Sequence, residues 1–244
     1  GLFIFQEKTK IMKQESFLKI DRIAFLGRTY DEYLKIFGLD EDILRKGPIL
    51  DCPAGAASFT AEAREKGFDV TACDILYSQS IDRLTKKGLD DLQHVFEKLE
   101  EVSDLYTWNH YKNTEEVFGL RKKALEEFTK NFTNGFKERR YVPAALPELP
   151  FPDKSFETVL SGHFLFLYGD RLDLDFHRAC LYEFVRICRG EVRIYPMLGH
   201  DAKPCPNIDE IISSLETEGI KAEINDVPFE FLKGATQMMV LKRI

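Results

Sequence analysis

Apolar residues recur along this chain with two alternating periods. From Thr29 to Phe37, Tyr30, Tyr33, Leu34 and Phe37 fall at i, i+3, i+4 and i+7, the stripe of one helix face. Gly38 and Gly47-Pro48 punctuate the stretch, and residues 1–47 as a whole read as helical pieces. Pro48-Ile-Leu-Asp-Cys52 is a short apolar strand that runs into a turn. Residues 54–66, rich in Ala and Glu, have helical composition and close at Gly67. Phe68-Asp-Val-Thr-Ala-Cys-Asp74 is a second strand, so the first two strands and their helix form a βαβ unit with parallel pairing.

A long amphipathic region follows. Leu89, Leu92, Phe96, Leu99, Val102 and Tyr106 repeat at three- and four-residue steps, as do Val117, Leu120, Ala124, Phe128 and Phe132. Asn113 with Glu116 three residues on is a helix start with a reaching-back carboxylate. Residues 80–138 therefore predict two antiparallel helices joined near Trp108–Asn113. Strands return at Arg140–Val142, Phe156–Ser161, Glu191–Tyr195, Ile220–Val227 and Thr236–Lys242, with helices over 172–188 and 208–218 between them. Such alternation predicts an open α/β sheet with helices on both faces. Ligands of such sheets bind beyond the carboxyl ends of the strands, so chemistry is expected in the loops after Cys52, Asp74, Val142, Ser161 and Tyr195.

Composition narrows the class. The chain has 244 residues, 44% hydrophobic and 31% charged, with a net charge of −7. It is long enough for a core without disulfides and too apolar for disorder. No stretch approaches the roughly 18 apolar residues of a membrane span. The acidic balance argues against coating nucleic acid, which needs clustered cations. The five cysteines are odd in number and form no CxxC pair or zinc spacing, so a chain with reduced thiols and no metal, in the cytoplasm, is expected. Cys52 and Cys73 end neighbouring strands, as a redox pair or as inert buried thiols. Gly1 in place of Met reads as a remnant of tag removal, and Gly1–Phe5 is too short for a signal peptide.

The loop Asp51-Cys-Pro-Ala-Gly-Ala-Ala57 carries the first chemical signal. Small residues allow a ligand to approach the backbone, and the following helix start offers free N–H groups. Asp74 ends the second strand 23 residues after Asp51, where an acid can accept both hydroxyls of a ribose. A dinucleotide cradle wants G-x-G-x-x-G, yet the matching positions hold Pro53, Gly55 and Ser58, and no Lys follows as in a nucleotide P-loop. Asp51 would repel phosphate and suits a cationic group.

Three ordered stretches resemble the class I S-adenosylmethionine-dependent methyltransferases. Ile49-Leu-Asp-Cys-Pro-Ala-Gly-Ala-Ala57 is similar to their first motif, Ala72-Cys-Asp-Ile75 to their second, and Leu149-Pro-Phe-Pro-Asp-Lys-Ser-Phe-Glu-Thr-Val-Leu160 to the stretch leading into their fourth strand. The resemblance covers about 48–84 and 140–244. It implies a single Rossmann-like domain over 1–244, a doubly wound, mostly parallel seven-stranded sheet with an antiparallel last strand. Residues 1–47 would be an N-terminal helical cover and 85–138 an inserted pair of helices between the second and third strands. That insertion has three readings: a lid, an interface, or an ornament on the sheet edge.

The resemblance also implies site residues. Asp51, Pro53 and Gly55 match positions near the methionine part of S-adenosyl-L-methionine, Asp74 the ribose acid, and Ile75 the adenine neighbour. Ala145 and Leu146 lie in the loop that flanks adenine, although Ala144-Ala145 stands where many members have Gly-Asp. Ser161 and Gly162 match the end of the fourth strand, facing the sulfonium and the substrate. Arg28 and Tyr30 precede the first motif, where similar enzymes supply a cation or an aromatic to the cofactor's carboxylate end; otherwise Tyr30 is core and Arg28 solvated. His163, just past the fourth strand, is placed for a general base or for loop packing. Tyr168, Asp170 and Arg171 read as turn and helix-cap residues, His200-Asp201 as a solvated loop, and the charge runs 121–123 and 137–140 as solvated helix faces. The expected function is methyl transfer to a small-molecule acceptor by a monomer or homodimer. The alternative is a cofactor- or partner-binding module of the same fold that no longer catalyses.

Overall fold

The computed structural model of the protein describes residues 18–244, so the expectations on residues 1–17 lie outside it. From the N-terminus, residues 18–29 run without regular secondary structure into α1 (Tyr30–Phe37) and α2 (Glu41–Arg45). Among the described residues the expected helical cover is thus helical only from Tyr30 onward. The segment before it is an extended strap whose backbone bonds go elsewhere. Its Leu26 and Arg28 carbonyls accept from the Ala56 and Ser58 amides, at 3.3 and 3.2 Å.

The βαβ unit forms as expected, with β1 (Ile49–Asp51), α3 (Phe59–Glu65) and β2 (Val70–Asp74). The helix starts later than its composition suggests, because residues 52–58 form the turn under the strap. Then come α4 (Ile81–Glu101) and α5 (Thr114–Lys137), joined by a short 3₁₀ turn and a loop. Thr85 faces Thr129 at 3.3 Å and the Phe96 and Phe118 rings meet at 5.2 Å. Pairing of early with late positions makes this an antiparallel hairpin. Asn113 caps α5 by accepting from the Glu116 amide, while the Glu116 carboxylate reaches back to the Lys112 amide.

The chain closes with β3 (Tyr141–Pro143), β4 (Phe156–Gly162), α6 (Leu174–Ile187), β5 (Cys188–Tyr195), α7 (Ile208–Thr217), β6 (Ile220–Asp226) and β7 (Gln237–Arg243). The seven strands lie in the order β3-β2-β1-β4-β5-β7-β6. All pair in parallel except β7, which slots between β5 and β6 antiparallel to both. The chain winds outward one way from β1 to β3 and the other way from β4, so β1 and β4 flank the switch point where a crevice must open.

Strand alternation divides the core between two faces. Val159 of β4 packs in one cluster with Phe184 of α6 and Leu215 of α7, and Leu160 in another with Phe37 of α1 and Phe59 of α3. The hairpin contributes Leu92, Phe96, Leu99 and Val117 to this second cluster. Its other end, with Leu84, Phe128 and Phe132, packs around Tyr77 and Tyr141. The hairpin is therefore built into the core on one side of the sheet.

Candidate active site

The carboxyl ends of β1, β2 and β4 open into a cavity of about 460 Å³. Its floor is the loop after β1, with Cys52, Pro53, Ala54 and Gly55. Gly55 has a φ of +56°, and a Cβ there would meet the Leu26 carbonyl oxygen at 2.5 Å, so the strap requires glycine at this position. Gly27 of the strap approaches equally closely, since a Cβ on it would lie 2.0 Å from the Ala56 carbonyl carbon.

Asp74 stands at one end of the cavity. Its two oxygens accept from the amides of Gly55 (3.0 Å) and Leu76 (2.9 Å), which fixes the carboxylate against the first loop. Burial raises its pKa, opposed by those two bonds and by Lys87. Each oxygen retains lone-pair capacity for another donor. Ile75 beside it is 62% exposed, an apolar side chain on the cavity's lip. Ala144, Ala145 and Leu146 form the facing wall, and the Ala144 amide ties their loop to the Asp74 carbonyl at 3.3 Å.

At the other end lie Gly162 and His163. The His163 backbone is left-handed (φ +55°) and its amide donates to the Tyr195 carbonyl at 2.6 Å, which turns the ring into the cavity. Burial first, then Arg28, Arg121 and His200, hold its pKa well below the ordinary value, so the imidazole is neutral at physiological pH. His200 also lines the cavity, edge-on to Tyr168, with its pKa pushed down to about 4, chiefly by burial. Its buried Nε2 has no hydrogen-bond partner among the described residues.

Arg28 projects from the strap into the same space. Its guanidinium makes no hydrogen bond or ion pair among the described residues. Burial and the nearby Arg121 lower its pKa to about 10, which leaves it charged at neutral pH.

The roof is made by the strap, the α4–α5 hairpin and the β6–β7 connection. Val95, Phe96, Leu99, Tyr106 and Val117 come from the hairpin region, and Phe229, Phe231 and Leu232 from the connection. Two buried carboxylates fasten these parts. Asp91 of α4 accepts from the Phe25 amide (2.7 Å), Arg22 (2.8 Å) and Lys87 (2.8 Å). Glu32 of α1 accepts from Arg121 of α5, from Tyr111, and from the Thr29 amide and hydroxyl. The Arg121 charge and these hydrogen bonds overcome burial and hold the Glu32 pKa down at about 2.

Of the expected site residues, Arg28, Pro53, Gly55, Asp74, Ile75, Ala145, Leu146, Gly162 and His163 line this cavity. Three do not. Asp51 is fully buried behind Tyr33, whose hydroxyl donates to it at 2.9 Å, and the Tyr33 ring takes the place at the wall. Ser161 shares the sheet face of Val159, which turns its side chain toward α6 and away from the opening. Tyr30 stacks on Phe59 at 5.7 Å beneath the Lys66 ammonium, so its core reading holds.

Other residues reach the site against expectation. Arg121 is 5% exposed while Lys122 and Lys123 are exposed, so its charge run is a solvated face only in its last two residues. It falls four residues after Val117 and three before Ala124, on the apolar stripe itself. Arg140 is likewise buried, bonded to Glu138 and Asn131. His200 and Tyr168 belong to the cavity; Asp173 rather than Asp170 caps α6. Cys52 and Cys73 are both free and buried, and burial together with Cys73 raises the Cys52 thiol well above its ordinary pKa, so it stays protonated. Among the described residues no His/Cys/Asp/Glu group is arranged to hold a metal ion, and no helix is long and apolar enough to cross a membrane.

No family model matches the chain. It is 31% identical over 228 residues to the uncharacterized protein MJ0045 of Methanocaldococcus jannaschii, spanning 93% of this chain and 99% of that one. Among solved structures it is similar to a SAM-dependent methyltransferase from Aquifex aeolicus, at 17% identity over 93% of this chain and 89% of that one, with a TM-score of 0.40. The magnesium protoporphyrin IX methyltransferase of Synechocystis, solved with bound SAH, gives 11% identity, 88% and 82% coverage and a TM-score of 0.44. The Burkholderia thailandensis 1,6-didemethyltoxoflavin-N1-methyltransferase gives 15%, 87%, 84% and 0.40. The chain belongs by sequence to the family of the Methanocaldococcus jannaschii protein, and its own strand order is that of the class I S-adenosylmethionine-dependent methyltransferase fold.

Proposed function

We infer that the protein is an S-adenosyl-L-methionine-dependent methyltransferase acting on a small-molecule acceptor. The observation that carries this reading is convergence. The first loop, the acid closing β2 and the end of β4 meet at one cavity at the switch point, partly covered by the strap, the hairpin and the β6–β7 connection.

The residues present fit the cofactor. Asp74 offers ribose hydroxyls a carboxylate already positioned by two amides. Ile75, Ala145 and Leu146 give adenine an apolar slot. The Arg28 guanidinium, without a partner among the described residues, suits a carboxylate. When bound, S-adenosyl-L-methionine supplies an activated methyl group on a good leaving group.

The chain's own task is then alignment and exclusion of water. The strap and hairpin cover part of the cavity. His163 is neutral, faces the cavity beyond Gly162, and can take the proton of an acceptor that arrives protonated. A calorimetric titration with S-adenosyl-L-methionine and S-adenosylhomocysteine tests the reading. Binding by both is expected, and folded protein that binds neither at high micromolar concentration would overturn it. Methyl transfer from labelled cofactor to a panel of small acceptors then separates an enzyme from a module that only binds.

A further inference from the structure

The cofactor-type residues occupy only part of the cavity wall. The remainder is aromatic and aliphatic, with Phe37 of α1, Val117 of α5, Tyr106, Phe229, Phe231 and Leu232. Two of the cations lining the cavity already have counter-charges. Arg121 is held by Glu32, and Lys87 by Asp91. Arg28 remains, and the reading above gives it to the cofactor's carboxylate. The Tyr33, Tyr168 and Tyr195 hydroxyls are bonded to Asp51, the Ala24 amide and the Ala235 carbonyl, which leaves the Tyr106 hydroxyl and two imidazoles, His163 and His200. A charged acceptor entering this chamber would lose its hydration and find no opposite charge, whereas an O–H group would donate to a ring nitrogen of His163.

We propose that the methyl acceptor is a neutral aromatic molecule carrying a hydroxyl, its ring against Phe231 and its hydroxyl at the His163–His200 end of the chamber. This rests on the methyltransferase reading of the same cavity. The hydroxyl oxygen forms the bond to the methyl carbon as the carbon–sulfur bond breaks, and that bonding pair stays on sulfur. The hydroxyl proton passes to His163 and from there to solvent. The products are a neutral aryl methyl ether and S-adenosylhomocysteine.

The test is calorimetry on the whole protein saturated with S-adenosylhomocysteine, titrated with beta-naphthol and separately with its charged counterpart beta-naphthoate. The naphthol is expected to bind about tenfold more tightly or better. Phe231 is only half-buried, so Phe231→Leu should fold, as checked by circular dichroism. It should weaken naphthol severalfold and leave S-adenosylhomocysteine affinity unchanged, as should His200→Ala. Naphthoate binding as tightly as naphthol would overturn the proposal, as would naphthol failing at millimolar concentration on protein that binds S-adenosylhomocysteine. Indifference of naphthol to both variants would also overturn it. Failure of S-adenosylhomocysteine itself to bind would instead sink the methyltransferase reading and, with it, the assignment of an acceptor.

Discussion

Arg121 Nη1 donates to both carboxylate oxygens of Glu32, at 2.7 and 2.8 Å, joining α5 to α1 across the roof of the cavity. Both side chains are buried, so neither charge has water to fall back on. Removing one partner of such a pair costs about 3–5 kcal/mol, because the other is left buried and uncompensated. Glu32→Gln should therefore lower the urea midpoint markedly, and Glu32→Leu combined with Arg121→Met should recover part of the loss. The Glu32 pKa is about 2 in the folded chain against an ordinary 4.5. Its stabilising contribution is thus full above 4.5 and is lost as pH falls through about 2, which equilibrium unfolding across acid pH will measure.

Asp51 has the opposite sign. Burial, with Asp74 nearby, raises its pKa from 3.8 to about 7 despite the hydrogen bond from Tyr33. Folding favours its protonated form, so its contribution is full below 3.8 and is lost as pH rises through about 7. Asp51→Asn keeps an acceptor for the Tyr33 hydroxyl and carries no charge. It should stabilise the ligand-free protein by on the order of 1 kcal/mol or more at mildly alkaline pH. Thermal unfolding of the two proteins at acid and alkaline pH checks this: the curves should converge in acid.

Asp74→Ala removes the acceptor for two loop amides and, on the proposed reading, for the cofactor's ribose. Its affinity for S-adenosylhomocysteine should fall by about 1.5–3 kcal/mol, or about ten- to a hundredfold. Asp74→Asn, which keeps one carbonyl oxygen, should lose less. Calorimetry on the three proteins gives the ranking.

His163 sits at a left-handed backbone position that asparagine tolerates better than most residues. His163→Asn should lower the methyl-transfer rate by about 10²–10⁴-fold with S-adenosylhomocysteine affinity unchanged. Because the ring is neutral, the wild-type rate should stay level from about pH 8 to about pH 6, where an ordinary histidine would lose its basic form. Steady-state rates over that range decide the point.

Much of this architecture was legible in the residues themselves. Period-two and period-3.6 runs located the strands and most helices, since every strand of a covered parallel sheet must be apolar and every packed helix must show a stripe. The place of Gly55, Asp74 and His163 at the cavity was legible because the loops at the carboxyl ends of the strands are where the crevice of such a sheet opens. What escaped notice depended on contacts between distant parts of the chain. Arg121 looks like the start of a basic run until Glu32, 89 residues earlier, is set against it. Its place on the stripe of Val117 and Ala124 was the available signal. Asp51 was expected at the cavity wall because local sequence could not reveal that Tyr33 stands in front of it. The strap at 18–29 reads as helix-compatible, but its carbonyls are claimed by the first loop instead.

The three pieces of the roof come from the start of the described chain, its middle and its end: the strap, the α4–α5 hairpin, and the β6–β7 connection. No sub-fragment of the protein contains a complete chamber. Ligand affinity is therefore a property of the fully assembled chain, and occupancy couples to global unfolding. A ligand present at a hundred times its dissociation constant should add about 2.7 kcal/mol to the stability of the entire domain. An intermediate lacking any of the three pieces would receive little of that gain, so a saturating ligand should sharpen the unfolding transition as well as raise it.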